Sequence, residues 1–325
     1  MKPALGEALA RQLAAALGGD VMRCGAPQGL KEWTEVHFTT TEGLIYVGAA
    51  GIAVRAVAPH LQSKRTDPAV VAVDECARFV IPLVSGHWGG ANDLARQIAR
   101  ICGAQAAITT ATDANGLFAV DEWAKIQGCR LLRPEKGKEV SATILAGGAV
   151  RVRARWPIAG TPPPRVRQVD AGEYDVLLDI ADDGREGLWL APPIAVLGIG
   201  CKKGTSRETL EAALRVTLAI KKLPVEAIGG AASIDLKKDE PGLAEFCQYH
   251  GWPLQCYSAQ ALQRAAGRFT PSEFVQGVVG VDNVCERSAV LRAGGGLYQR
   301  KTVHNGVTMA VALQPYYPDW SWRNE

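Results

Sequence analysis

The chain has 325 residues, of which 47% are hydrophobic and 21% charged, and its 36 Lys and Arg nearly balance its 33 Asp and Glu. This composition is typical of a soluble protein with two or three packed domains, and the net charge of +3 argues against a nucleic-acid-binding protein. No apolar run approaches the roughly 18 residues that span a membrane, and the eight cysteines form no C-x-x-C pair. We therefore expect a cytoplasmic protein with reduced thiols, no membrane contact and no metal of its own.

The first 128 residues alternate between helical and strand-like patterns. An amphipathic helix is predicted first, over residues 6–17, and it ends at a pair of glycines. Strands are predicted at residues 44–47, 70–74, 79–84 and 106–109, with helices between them. Strands separated by helices predict an α/β domain with a parallel or mostly parallel sheet.

The segment from Ser85 to Asn92 places one imidazole, His87, and three glycines between an apolar strand and an amphipathic helix. His87 is predicted to lie at the carboxyl end of a strand, where open α/β sheets bind ligands. Free amides of such a turn favour an anion or a developing oxyanion. Glycines also occur in turns for conformational reasons alone, and a lone histidine is often structural, so the residues leave both interpretations equally open.

Residues 129–191 differ from the first 128 in their residue pattern and are predicted to form a smaller joining segment. Alternate arginines at 151, 153 and 155 predict a strand that carries guanidinium groups on one face, and the run 161–164 predicts a stiff turn. We expect a solvated edge strand, on which charge prevents pairing with other chains.

Residues 192–325 are predicted to form a second α/β domain, whose first strand leads into the glycine-rich loop 198–205. The capping-box spacing of Thr205 and Glu208 predicts that the following helix begins there. The loop has neither the Walker A order nor the dinucleotide G-x-G-x-x-G spacing, so it predicts a general anion site beside two lysines. An Asn-Gly turn at 305–306 predicts a closing hairpin.

Several other polar residues follow predicted strands or begin predicted helices. The run 109–113 of hydroxyls and a carboxylate can bind a polar ligand, but alone it favours a self-satisfied turn. Asp121 and Glu122 begin a helix, where the helix dipole favours acidic residues. Glu286 and Arg287 are interpreted as an exposed ion pair on a helix.

Taken together, motifs at both ends of the chain resemble the CbiG family of cobalamin-biosynthesis proteins. The matching segments are Ile52–Pro59, Lys64–Val70, Ser85–Asn92 and Thr109–Asp113 near the start, and Gly198–Thr205, Ser233–Glu240, Val284–Glu286 and Val307–Ala312 near the end. The middle segment matches by position and length. Members usually open on a strand, whereas this chain enters a helix almost at once, which is a departure from the family pattern.

The resemblance implies two layered α/β/α domains with mostly parallel or mixed sheets, residues 1–128 and 192–325, joined by the segment 129–191. It also implies a hydrolase of the oxygen-independent route to vitamin B12, which opens a δ-lactone on a cobalt-bearing tetrapyrrole and releases acetaldehyde. Cobalt would arrive with the substrate, so no cofactor is expected.

Within this resemblance, lactone hydrolysis needs a base and amide donors for the oxyanion. His87 is the candidate base, Asp113 would orient it or act as the base itself, and the amides of Gly89 and Gly90 would hold the oxyanion. The other residues expected to bind substrate are Gly51, Arg55, Lys64, Asp67, Ser85, Gly86, Asn92, Thr110, Thr112, Gly200, Lys202, Lys203, Gly204, Thr205 and Glu286.

Two other functions stay open on the sequence. The last third also resembles a small stand-alone protein of the oxygen-dependent B12 route, so the chain could bind and hand over corrinoids without catalysis. The third possible function is that of a general phosphate-binding α/β enzyme. The absence of the Walker A order and of the dinucleotide-binding spacing argues against it. We expect contacts with other enzymes of the pathway, and a homodimer as the default assembly.

Overall fold

A computed structural model describes residues 5–25, 29–63, 66–87, 89–110, 116–273, 276–277 and 280–322. The chain divides into two compact units. The first runs to Trp123 and includes the residues from Ser321 onward, and the second comprises Ala124–Trp320. The predicted division into three parts stays a prediction, and the middle and last segments share the second unit.

The first unit is built on one four-stranded sheet. Its strands are β1 (Gly43–Val47), β2 (Ala69–Val73), β3 (Phe79–Val84) and β4 (Gln105–Ala106), in that spatial order. Its helices are α1 (Leu5–Leu17), α2 (Leu30–Phe38), α3 (Ala50–Val57), α4 (Ala91–Cys102) and the start of α5 (Val120–Ile126). β1 pairs with β2 and β3 with β4 in parallel, whereas β2 and β3 are antiparallel, so the sheet is mixed.

Burial of β2 on both faces explains the layering of this unit. All five of its residues are buried. Because successive side chains of a strand point to opposite faces, Val71 and Val73 pack with α1 and α4, and Val70 packs with residues of α2 and α3 on the other face. The predicted α/β fold with helices on both sides of a sheet is therefore confirmed.

The second unit contains two five-stranded mixed sheets. The strands of the middle sheet are β5 (Arg130–Leu132), β6 (Val150–Ala154), β7 (Val166–Gln168), β8 (Val176–Leu178) and β9 (Leu188–Ala191), in the order β5-β9-β8-β6-β7, beside helix α6 (Glu135–Leu145). Those of the last sheet are β10 (Ala195–Gly200), β11 (Ile228–Ile234), β12 (Leu254–Tyr257), β13 (Leu297–His304) and β14 (Val307–Leu313), in the order β12-β11-β10-β14-β13. Its helices are α7 (Arg207–Lys221), α8 (Pro241–His250), α9 (Ala259–Gln263) and α10 (Cys285–Ala293).

The arginine-bearing strand β6 is not an edge strand, so that prediction is wrong. β6 lies between β8 and β7. Its charges are neutralised by acids that flank β8: Arg151 forms an ion pair with Asp175 at 3.0 Å, and Arg153 with Asp183. Paired guanidinium groups are compatible with an interior strand, because neither charge is left without a partner.

Two local predictions for the last sheet have different outcomes. The hairpin between β13 and β14 is confirmed, with φ of 48° at Asn305 and 76° at Gly306, as a type I′ turn requires. Helix α7, however, is capped by Ser206, whose Oγ accepts the Thr209 N–H at 3.4 Å, one residue later than predicted. The Thr205 hydroxyl instead donates to the Lys202 carbonyl at 2.8 Å.

Helix α10 packs directly onto the centre of the last sheet because β10 carries a glycine there. A Cβ added to Gly198 would lie 1.8 Å from the Cys285 carbonyl oxygen. The close approach places Ala289 of α10 against Val196 of β10, opposite the face on which Leu197 packs with α7 and α8.

We expect Gly198→Ala to lower the free energy of unfolding by about 1–3 kcal/mol or more, because α10 must move to admit the methyl group. The matched control is Gly137→Ala in α6, where the nearest atom to an added Cβ is 3.9 Å away. That control should leave stability unchanged or raise it by about 0.5–1 kcal/mol. Urea unfolding measures both, and equal effects would contradict the packing argument.

Candidate functional site

The turn that follows β3 is closed onto the start of α4 by its own backbone. Ser85 adopts a φ of 57°, and its buried hydroxyl donates to the Asp67 carbonyl at 2.9 Å. The N–H of Ala91 donates to the Ser85 carbonyl at 3.1 Å, and that of Asn92 to the Gly86 carbonyl at 2.9 Å. These bonds fix the turn that carries His87.

Two glycines of this turn leave no room for a side chain. A Cβ on Gly89 would lie 2.3 Å from Ser85 Cβ, and one on Gly86 would lie 2.9 Å from Asn92 Oδ1. Asn92 is buried and donates through Nδ2 to Thr110 Oγ1 at 2.9 Å. The predicted site residues Asp67, Ser85, Gly86, His87, Gly89, Gly90, Asn92 and Thr110 therefore meet in one place.

The ring of His87 lies between two carboxylates from the first turn of α5. Its Nδ1 is 3.1 Å from Asp121 Oδ2, and its Nε2 is 3.6 Å from Glu122 Oε1. The three side chains are 15%, 20% and 9% exposed, so water screens their charges only in part.

The ionisation of Asp121 follows from this geometry. Burial raises the pKa of Asp121, but the hydrogen bond and charge of His87 outweigh it, so the net shift is below the ordinary value of 3.8. Asp121 is therefore ionised at neutral pH and accepts a hydrogen bond from His87 Nδ1. On the other side of the ring, the 3.6 Å between Nε2 and Glu122 Oε1 is too long for a direct hydrogen bond.

The backbone amides of the turn are not equally available to a ligand. The Gly90 N–H, an expected oxyanion donor, already donates to the His87 carbonyl at 3.2 Å. The N–H groups of Gly86 and Gly89 donate to no acceptor within the described residues. Gly89 thus remains a candidate donor, and Gly86 joins it.

The strand directions separate Gly51 from this site. Because β3 is antiparallel to β2, its carboxyl end lies beside the amino end of β2. Gly51 lies in the first turn of α3, which follows the carboxyl end of β1, at the opposite edge of the sheet. The antiparallel β3 therefore places the turn at Gly51 and the turn at His87 at opposite edges of this sheet, and contact of Gly51 with a substrate stays a prediction. Arg55 lies farther along α3 and is exposed.

Three predicted site residues, Lys64, Thr112 and Asp113, lie outside the described residues. Asp67 has a local structural role: its carboxylate accepts the N–H groups of Gln62 and Ser63, each at 3.1 Å. Contact of these residues with a substrate stays a prediction.

The second predicted loop, in the second unit, is exposed at Lys202, Lys203 and Gly204. Glu240 accepts the Gly204 N–H at 2.5 Å and the Lys237 ammonium group at 3.0 Å. These hydrogen bonds lower the pKa of Glu240, so the loop holds a carboxylate of its own. Gly200 packs against Thr308, whose Oγ1 would lie 2.5 Å from an added Cβ. The two lysines are therefore the part of this loop that remains for an anion.

Glu286 is not the exposed ion-pair partner that the sequence suggested. It is fully buried, and its oxygens accept the Thr270 N–H and hydroxyl and the Lys301 N–H at 2.7–2.8 Å. Arg287 pairs with Asp282 instead, at 2.7 Å. The geometry makes Glu286 a support that joins α10, the segment at Thr270 and strand β13.

Sequence reasoning missed Asp121 and Glu122 as partners of His87. The available signal was an acidic pair at a helix start, which the helix dipole explains equally well. Their pairing with an imidazole 34 positions away depends on how the chain folds. Within the described ranges, no cluster of His, Cys, Asp and Glu could hold a metal ion. No helix in those same ranges has the length and apolarity needed to cross a membrane.

We expect Asp121→Asn to destabilise the protein by about 1.5–3 kcal/mol between pH 4 and 7, the range for a hydrogen bond to a charged group. Because folding lowers the pKa of Asp121, its ionised form stabilises the fold above about 3.8, and this contribution is lost as the pH falls through the lowered value. Urea unfolding from pH 3 to 7 should show the difference from wild type shrinking at the acidic end. Asp20→Asn, at an exposed position, is the control, and a pH-independent difference would contradict the assignment.

Comparisons with known proteins agree along the chain. Residues 32–113 match the family profile described as cobalamin synthesis G N-terminal, and residues 195–312 match cobalamin synthesis G C-terminus. A protein named cobalt-precorrin-5A hydrolase from Salmonella typhimurium is 33% identical over 95% of each chain. One of the same name from Priestia megaterium is 31% identical over 86% of this chain and 80% of that protein.

A solved structure of a cobalamin biosynthesis protein G homologue from Sulfolobus solfataricus aligns over 96% of this chain and 94% of that chain, with 22% identity and a TM-score of 0.40. The sequence matches extend over both units and most of the length of each curated relative. The chain therefore belongs to the cobalamin synthesis G family, CbiG.

Proposed function

We propose that this protein is a cobalt-precorrin-5A hydrolase of vitamin B12 biosynthesis. It opens the δ-lactone of a cobalt-bearing tetrapyrrole and breaks a carbon–carbon bond, releasing acetaldehyde and leaving cobalt-precorrin-5B. The single observation that carries the proposal is the likeness, over 95% of both chains, to a protein of that name. The geometry around His87 supports it, because lactone opening needs a base and an oxyanion donor in one place.

His87 is the base in this proposal. The Asp121 carboxylate, 3.1 Å from Nδ1, orients the ring and stabilises the imidazolium that forms when Nε2 takes a proton from water. The hydroxide equivalent adds to the lactone carbonyl, and the Gly89 N–H stabilises the resulting oxyanion. The ring C–O bond then breaks with its electron pair on the ring oxygen. That alkoxide becomes the carbonyl of acetaldehyde as the carbon–carbon bond breaks, which leaves an electron pair on the macrocycle. Asp121 takes the orienting role first assigned to Asp113, which remains an alternative.

Glu122 is the second residue of the site that can transfer a proton in this proposal. Carbon–carbon cleavage leaves an electron pair on the macrocycle, so a carbon of the product must be protonated. The proton that His87 takes from water is available for this step, and Glu122, whose Oε1 lies 3.6 Å from His87 Nε2, is placed to pass it on. One buried pair would thus take a proton from water and return one to carbon.

Substrate recognition in this proposal uses cations against the peripheral acetate and propionate groups of the macrocycle. The candidates are Arg55, Lys64, Lys202 and Lys203. Cobalt enters as part of the substrate, so the proposal needs no resident cofactor. We further propose that the protein acts in the cytoplasm as a homodimer, alongside other enzymes of the pathway.

The proposal is tested by anaerobic incubation of the purified protein with cobalt-precorrin-5A, with acetaldehyde and the tetrapyrrole mass measured together. We expect acetaldehyde in amounts that match the change in mass. A tetrapyrrole that stays bound without acetaldehyde release would overturn the hydrolase proposal and favour a carrier that hands corrinoids to other proteins.

Within that assay, His87→Gln and Glu122→Gln should each lower turnover about 10² to 10⁴-fold, the usual contribution of general acid–base catalysis. Each variant removes a group that accepts or passes on a proton in the chemical step, so kcat should fall more than KM changes. His37→Gln, on α2 of the same unit, is the control and should keep normal turnover. Near-normal kcat in folded His87→Gln protein would remove His87 from the mechanism.

A further inference from the structure

A pocket of about 400 Å³ opens in the second unit, beside the edge strand β13. Its walls include Arg268, Phe269, Tyr298 and Arg300, together with the glycine pair 295–296 that precedes β13. β13 is parallel to β10, since both are antiparallel to β14. The start of β13 therefore lies at the opposite end of the sheet from Gly200 and the lysine loop, so the pocket is separate from that loop.

The charges around this pocket are unbalanced. Two arginines near its rings have acidic partners: Arg155 lies 3.6 Å from Asp179, and Arg287 lies 2.7 Å from Asp282. The two arginines that line the pocket, Arg268 and Arg300, form no ion pair within the described residues. A concave surface with two uncompensated guanidinium groups attracts an anion.

Aromatic rings make the pocket suitable for an anion with a flat apolar body. The Arg287 guanidinium lies 4.5 Å from the centre of the Phe269 ring, and that of Arg155 lies 5.0 Å from the centre of the Tyr298 ring. Such cation–π contacts orient both rings. Open glycine backbone at Gly296, with nothing within 4 Å of an added Cβ, leaves room beside them.

The buried carboxylate of Glu286 connects the two walls of the pocket that carry Arg268 and Arg300. It accepts hydrogen bonds from Thr270, two residues after Arg268, and from the backbone of Lys301, next to Arg300. Arg300 also lies 3.4 Å from the Arg268 carbonyl and 3.5 Å from Thr270 Oγ1. The walls are thus fixed to each other before any ligand binds, which lowers the entropic cost of binding.

We propose that this pocket is a carboxylate anchor for a tetrapyrrole, in which Arg268 and Arg300 hold peripheral acid groups while the rings and Val290 contact the macrocycle. The inference rests on the proposed function for the identity of the ligand. It assigns the second unit a binding site of its own, and it makes Glu286 a positioning residue for that site.

The test measures binding of uroporphyrin I, an octacarboxylate tetrapyrrole, by fluorescence titration of the full-length protein. We expect the double variant Arg268→Gln, Arg300→Gln to weaken binding roughly tenfold or more, because charge-assisted hydrogen bonds to carboxylates are lost. Arg264→Gln, at an exposed arginine that does not line the pocket, is the control for loss of positive charge elsewhere on the surface. Wild-type affinity should also fall more steeply with salt than that of the double variant.

Each outcome decides the inference separately from the proposed function. Unchanged affinity in the folded double variant, checked by circular dichroism and thermal unfolding, would overturn the anchor. An equal loss in the Arg264→Gln control would also overturn it, because the effect would then reflect net charge alone. Arginine-dependent porphyrin binding without acetaldehyde release would sustain the anchor while the hydrolase proposal fails. Normal turnover together with porphyrin binding that does not depend on these arginines would support the hydrolase proposal and overturn the anchor.

Discussion

Burial of β2 on both faces is the constraint on which the first unit depends. All five side chains of this strand are buried, so the strand offers no polar side chain to a ligand, and the segments where strands end must supply such groups. The turn after β3 meets that requirement. It gathers Ser85, His87 and Asn92 at one edge of the sheet, where side chains and backbone amides are not needed for the core.

Close packing at this edge turns a glycine-rich segment into a rigid support for one imidazole. Gly89 approaches Ser85 too closely for any side chain. The Ser85 hydroxyl anchors the turn to the segment before β2, because it donates to the Asp67 carbonyl. The ring of His87 is then held between Asp121 and Glu122, both from one helical turn. The Asp121 carboxylate fixes the tautomer of the imidazole at Nδ1, and the Glu122 carboxylate lies 3.6 Å from Nε2. This arrangement is the chemical basis of the proposed proton transfers.

The second unit uses buried charge differently. Glu286 accepts three hydrogen bonds within the interior and presents nothing to solvent. Its effect is indirect: it fixes the backbone on either side of a pocket whose arginines have no acidic partner within the described residues. In the middle sheet, by contrast, Arg151 and Arg153 are paired with neighbouring acids. Arginine is thus part of ion pairs in the middle sheet, whereas the two arginines of the pocket beside the last sheet have no ion-pair partner within the described residues.

The sequence by itself determined the elements and the family. Period-two and helical patterns, the Asn305-Gly306 turn and the His87 turn depend on neighbours a few positions away, so they are readable without a fold. Tertiary structure alone decided which distant residues meet. Only the antiparallel placement of β3 separates Gly51 from His87, only the path to α5 brings Asp121 and Glu122 to the imidazole, and only packing shows that Glu286 is buried. Such contacts join segments far apart in the chain, and local residue patterns carry no information about that distance.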